Sequence, residues 1–297
     1  MVTIIRKELA DYFTSIRCLI LFILVILASA VALYATHQGI REVSTESGFV
    51  FTGLFTVGQT ISLVNFIALL IPLIGIVLGF DAINREYSTG TMSRILSQPV
   101  YRDSVINGKF LAGMVTLFIM ILTAMLLVGG YGLRMIGVPP EAEEIIRLFI
   151  YFFSVIIYGA FWMGLAILFS VLFRNLAISL LCPLAIWIFL GIPVSVFNPY
   201  ISFIAPAVTN SVGTYLMLLR ISPYFLFSET TAALLDPLFK GIGMFTGDTT
   251  GMLLYRPLSL GQSLLVVWPQ LTTLIGLAVI CFAVSYIVFM RQEIRAT

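Results

Sequence analysis

Charge is what this 297-residue chain most lacks. Only 10% of its residues are Asp, Glu, Lys or Arg, and His37 is the single histidine. A soluble domain needs more polar surface than that to cover its core. A net charge of +2 is too small to point to nucleic acid, and one histidine argues against the usual His-rich zinc centre. Cys18, Cys182 and Cys281 all lie inside apolar runs. They show neither metal-ligand spacing nor a disulfide framework and read as small buried hydrophobes. A G-x-x-x-x-G-K-[ST] loop is missing too: Gly108-Lys109 is followed by Phe110, and position 103 is Asp103. Nucleotide binding by that route is excluded. The methionines, among them Met135, Met217, Met244 and Met252, form no M-x-x-M cluster and read as packing.

What the chain has in abundance is oil. Sixty per cent of it is hydrophobic, its mean hydropathy is +1.08, and several runs exceed the roughly 18 apolar residues of a membrane span. The expected fold is all-α: a polytopic membrane protein, one transmembrane domain over 1–297 with six spans. They fall at 18–36, 61–80, 110–133, 148–172, 176–197 and 264–289. The first run is too long for a signal-peptide core and follows Glu8 and Asp11, so it reads as an uncleaved span. The middle of every span is free of ionisable residues. An ion-coupled carrier or an intramembrane metalloprotease would place such groups there. Asn65 and Gln270, the main polar side chains within the spans, read as inter-helix hydrogen bonders.

Basic residues set the expected orientation. Arg6, Lys7, Arg17, Arg85, Arg94, Arg102, Lys109, Arg174, Arg291 and Arg295 fall in 1–17, 81–109, the Arg174-Asn175 turn and 290–297. The longer pieces on the other side hold Arg41, Arg134, Arg147, Arg220, Lys240 and Arg256. The excess predicts both termini in the cytoplasm. Region 198–263 would then be external. Pro206, Asn210, Ser211 and Gly213 interrupt its apolar stretch, which predicts interfacial or re-entrant helices.

Two segments break the pattern of spans and short turns. In TIIRKELADYFTSIR, Ile5, Leu9, Tyr12, Phe13 and Ile16 recur at helical spacing, while Arg6, Lys7 and Asp11 fall largely elsewhere. That predicts an amphipathic helix in the membrane interface over 1–17. The second, DAINREYSTGTMSRILSQPVYRDSVINGKF, is a polar strip over 81–109. Asp81 and Arg85 stand at i, i+4, acid first. Ile83 and Tyr87 share one face. Gly90 permits a sharp turn, Thr91 is placed to cap a short helix through Met92, Ile95 and Leu96, and Pro99 punctuates the chain. A solvated loop is one reading. Apolar residues set between charges favour a docking surface.

The strip with its flanks, FDAINREYSTGTMSRILSQPVYRDSVINGKFLAG, resembles the signature loop of type-2 ABC transporter permeases. The correspondence rests on Asp81, Glu86, Gly90-Thr91, Leu96-Ser97, Pro99, Arg102 and Gly108-Lys109. RKELADYFTSIRCLILF, with Arg6, Lys7 and Glu8, resembles that family's N-terminal elbow helix. RISPYFLFSETTAALLDP is similar to the segment before its last span. The closest branch is that of the nitrous-oxide-reductase maturation and gliding-motility permeases.

The resemblance implies a transport subunit rather than an enzyme, set in the inner membrane of a prokaryote among lipid. Two permease copies, alike or different, would form the pathway, with ATP and Mg on separate cytoplasmic ATPase chains. The 81–109 strip would be the coupling element, with Glu86 and Arg102 foremost among its contacts. The loop of binding-protein-dependent importers is lacking, so export is implied over uptake. The alternative is a membrane scaffold or signalling protein that docks a cytoplasmic partner and transports nothing.

Overall fold

Inside a bilayer every backbone N–H and C=O must be paired within its own segment, so long apolar runs are expected to be helical. The computed structural model describes residues 1–43, 50–56, 62–88, 90, 101–137, 139–191, 218–235 and 259–292. Among them there are ten helices and no strand. In chain order these are α1 (Val2–Thr14), α2 (Ile16–Val43), α3 (Val50–Thr56), α4 (Leu63–Gly79) and α5 (Asn84–Ser88). There follow α6 (Arg102–Ile136), α7 (Ala142–Leu172), α8 (Leu176–Leu190), α9 (Pro223–Leu235) and α10 (Leu260–Arg291).

Five stretches are long and apolar enough to cross a membrane: Ile16–His37, Leu63–Ser88, Arg102–Arg134, Ala142–Leu172 and Leu260–Arg291. The chain is a multi-pass membrane protein. The expected span at 176–197 is described only as α8, whose 15 residues reach about 22 Å, short of a hydrocarbon core of about 30 Å. Residues 192–197 lie outside the described residues.

Helix α7 is the hub, packed against α4, α8, α9 and α10. Tyr151, Val155, Tyr158, Trp162 and Ala166 are wholly buried along it. Helix α4 approaches it through Gly75 and Gly79, one turn apart. A Cβ on Gly75 would stand 3.0 Å from the Gly159 carbonyl oxygen, and one on Gly79 would stand 2.7 Å from that of Met163. Small residues at this spacing let backbones touch where lipid supplies no hydrophobic drive for association. Helices α2 and α10 lie at the periphery. Cys18, Leu21, Val25, Ser29, Ala32 and Thr36 of α2 are buried and Phe22 and Leu33 pack beside them, whereas Leu19, Ile20, Ile23, Ile26, Leu27 and Val31 are exposed, as suits contact with acyl chains.

Helix α9 falls in the expected 198–263 region, yet it is not a surface element. Leu226, Phe227, Thr230, Thr231 and Leu234 are buried. Phe227 stacks on Tyr158 at 4.4 Å and 7°, and Tyr158 lies midway along α7. Arg147 donates to the Leu234 carbonyl at 3.1 Å, close to the start of α7. The Ser222 hydroxyl donates to the Leu190 carbonyl at 2.6 Å. Helix α9 thus runs from mid-bundle, beside the end of α8, to the end of the bundle where α7 begins. The part of the stretch expected to be interfacial or re-entrant that holds Pro206, Asn210, Ser211 and Gly213 lies outside the described residues.

Candidate functional site

The described parts of the polar strip, 81–88, 90 and 101–109, lie at one end of the bundle, called here the near end. There α1, α5 and the starts of α6 and α8 meet the ends of α4, α7 and α10. Ser15 breaks the first helix, with φ −80 and ψ 132, and α2 leaves at Ile16. Helix α1 packs with its Ile4, Ile5, Glu8, Leu9 and Tyr12 side, while Phe13 and Ile16 are exposed. Of the expected stripe, Ile5, Leu9 and Tyr12 lie on the packed side, while Phe13 and, beyond the bend at Ser15, Ile16 are exposed. The Tyr12 hydroxyl donates to the Leu78 carbonyl at 2.9 Å and fixes α1 to the end of α4.

Helix α6 begins at Arg102, so the last part of the strip is its first two turns. Gly108 meets α1 there: a Cβ at that position would stand 2.8 Å from Ile4 Cγ2. The bare backbone lets the two helices close on each other. The next residue, Lys109, is only 4% exposed. Its Nζ donates to Glu8 of α1 at 3.0 Å and lies 2.8 Å from a Glu86 carboxylate oxygen in α5. Lys7 stands at the rim, 3.2 Å from Glu8, 3.7 Å from Asp11 and 3.9 Å from Glu86. Glu8, Glu86, Lys7 and Lys109 thus form an electrically balanced cluster joining three helices. Burial pushes the Glu8 carboxyl up, but Lys109 and then Lys7 outweigh it and hold it below its ordinary value. Burial lowers the Lys7 ammonium, but Glu8, with Glu86 and Asp11, outweighs it and raises it overall.

Asp81 does not pair with the Arg85 side chain as the i, i+4 spacing suggests. Its carboxylate takes Arg17 of α2 at 2.5 Å, and the guanidinium also lies 5.4 Å over the Phe80 ring. Arg85 is exposed, and its backbone N–H donates to the Asp81 carbonyl at 3.2 Å. Glu86 is buried, with a carboxylate oxygen 2.8 Å from Lys109 Nζ. The start of α5 is held from behind: Ile83 and Asn84 N–H both donate to Ser170 Oγ at 3.1 Å, and Asn84 Nδ2 donates to the Phe173 carbonyl at 2.8 Å. Ser179 Oγ donates to the Phe80 carbonyl at 2.6 Å.

Gly90 has φ +68, the left-handed turn that glycine makes readily. Thr91, Leu96 and Pro99 lie outside the described residues. Arg102 reaches the Gln292 carbonyl at 3.2 Å, and Arg6 is exposed on α1. Between α1, the start of α2 and residues 77–86 runs a groove of about 860 Å³, lined by Lys7, Asp11, Arg17, Asp81, Arg85 and Lys109 among others. Among the described residues no three His, Cys, Asp or Glu side chains converge as metal ligands.

The arrangement can do one thing well: it ties the two flanks of the strip to α1 and to each other while leaving Arg85, Ser88, Gly90 and Tyr101 exposed, the last at 81%. Sequence reading missed Ser170, Asn84 and Gln292. Nothing in their own neighbourhoods marks them, since each acts on a helix far away in the chain.

The profile of the ABC-2 family transporter protein matches residues 2–294. The chain is also 32% identical over 181 residues to a probable ABC transporter permease protein, NosY, of Pseudomonas aeruginosa. The aligned stretch spans 60% of this chain and 58% of that one. A match over nearly its whole length, on an all-helical multi-pass fold, places this chain in the ABC-2 family of transporter proteins.

Proposed function

We propose that this chain is the membrane-spanning permease subunit of an ATP-driven ABC transporter, an exporter, with the near end in the cytoplasm of a prokaryote. The observation that carries the proposal is the Glu8–Lys109–Glu86 cluster. It fixes both flanks of the 81–109 strip to α1, so a force applied to the exposed edge reaches the bundle rather than being lost in a mobile loop. A separate ATPase chain, which would hold ATP and Mg, docks on that edge, and α1 acts as the elbow at the membrane surface. The excess of basic residues in the near-end segments supports the sidedness. Family membership supports a second permease copy, and NosY is itself named a probable permease.

Arg85 and Arg102, which bracket the edge, contact the ATPase. Glu86 serves from within, by holding Lys109. The paired change Arg85→Glu with Arg102→Glu is expected to leave membrane insertion intact and to reduce copurification of the ATPase at least about tenfold, the effect of reversing charges at an interface rim. Full retention of the ATPase by this variant would refute the docking assignment.

A further inference from the structure

The residue that ends α10 gathers three other helices. At Gln292 the chain leaves helical geometry, with φ −68 and ψ 124, while its N–H still donates to the Val288 carbonyl at 3.1 Å. Its side-chain Nε2 donates to the Val171 carbonyl at 2.8 Å, in the last turn of α7, where no helical donor is available. Its Oε1 accepts from the Tyr87 hydroxyl at 3.4 Å, and its main-chain oxygen accepts from Arg102 Nη1 at 3.2 Å. Tyr87 lies in α5 on one side of the strip, and Arg102 begins α6 on the other. Both flanks of the strip and the end of the central helix therefore meet on one residue, Tyr87 and Val171 at its side-chain amide and Arg102 at its main-chain carbonyl.

The other half of α10 grips α9. Gln270 Nε2 donates to Glu229 at 3.1 Å, and Arg220 holds the same carboxylate through two nitrogens at 3.2 and 3.1 Å. Arg147 Nη1 donates to Ser263 of α10 at 3.0 Å and to the Leu234 carbonyl of α9 at 3.1 Å. Between Gln270 and the end of α10 lies about 32 Å of helix at 1.5 Å per residue. This is a continuous element with a polar attachment to the strip at one end and polar attachments to a half-length helix in its other half.

We propose that α10 is the strut that carries the state of the strip to α9, and that Gln292 is its positioning residue. The inference rests on the reading of the strip as the ATPase-docking element. A glutamine suits the place because its amide donates and accepts at once. A glutamate would lose the bond to Val171, and a methionine of similar size would lose both side-chain bonds.

The test uses the chain with its copurified ATPase in nanodiscs, with Cys18, Cys182 and Cys281 replaced by Ser and a reporter Ser228→Cys on α9. The readout is the rate of maleimide labelling at position 228 with and without Mg-ATP. In the parent the rate is expected to change about fivefold, the lower end of ordinary allosteric coupling. Gln292→Met is expected to abolish that change while the ATPase remains bound and hydrolyses ATP. Tyr87→Phe, which removes one hydroxyl, is expected to diminish it and carries the test if Gln292→Met fails to fold. A merely structural role would lower the unfolding temperature and leave the nucleotide response in place.

A full response in both variants overturns the proposal, as does a parent that binds and hydrolyses ATP with no change at position 228. A parent that retains no ATPase overturns the docking reading and the strut with it.

Discussion

Lys109 is buried between two carboxylates from different helices, and its removal leaves them Lys7 at the rim, 3.2 Å from Glu8 and 3.9 Å from Glu86. An uncompensated buried charge typically costs about 3–5 kcal/mol, whereas exchange of a whole ionic group for neutral residues is often close to neutral. Lys109→Met alone is therefore expected to destabilise the chain by about that amount in thermal unfolding. The triple change Glu8→Gln, Glu86→Gln and Lys109→Met should recover most of the loss. The cluster also sets a pH dependence. The Glu8 carboxyl is held below its ordinary value of 4.5, so its contribution is present above that pH and is lost as the pH falls through the lower, folded-state value. Cysteine accessibility along the inner face of α1, at Leu9, should rise only below that range. A rise at neutral pH would show that α1 is not held by this carboxylate.

The residue types of the cluster were legible in the sequence, but their partners were not. Lys109 appeared there in the Gly108-Lys109 pair that closes the strip and Glu8 in the elbow-like segment. Spacing reveals only pairs within one helix. For Asp81 it offered Arg85, and the fold supplies Arg17 from the next wall of the groove.

At the scale of elements, hydropathy located the long helices because each must satisfy its own backbone and spans a fixed thickness. Helices α4, α6, α7 and α10 stand close to where the apolar runs put them, although α6 starts at Arg102 instead of 110, since only Gly108 interrupts the helical propensity before it. Helices α8 and α9 were less legible. Each is shorter than a span, and the burial of α9 comes from contacts such as Phe227 on Tyr158 that no local pattern announces.

Gln270, expected to bond between helices, does so with Glu229. The close approach of α4 to α7 gives a sharp expectation. Gly79→Leu places side-chain atoms against the Met163 carbonyl, where a Cβ alone would stand 2.7 Å away. It should cost about 1–3 kcal/mol by overpacking, read as a lower unfolding temperature. At Gly130, where a Cβ meets nothing within 4 Å, the same substitution should be well tolerated. Arg147→Met, which removes bonds to Glu143, Leu234 and Ser263, should loosen α9 and increase hydrogen exchange across 223–235.

At the scale of the whole molecule, the central claim is that energy enters at the near end from another polypeptide. It requires the strip to face the cytoplasm and the region around 249 to face outward. A cysteine at Ser88 should then label only from inside intact cells, and one at Thr249 only from outside. The most direct measurement places a photo-crosslinking amino acid at Tyr101, the most exposed aromatic side chain of the near end. A control carries the same group at Ile145, near the start of α7, in membranes holding both chain and ATPase. The account predicts a crosslink to the ATPase from position 101 and none from position 145. It is contradicted if position 145 captures the ATPase and position 101 does not, or if the purified chain hydrolyses ATP by itself.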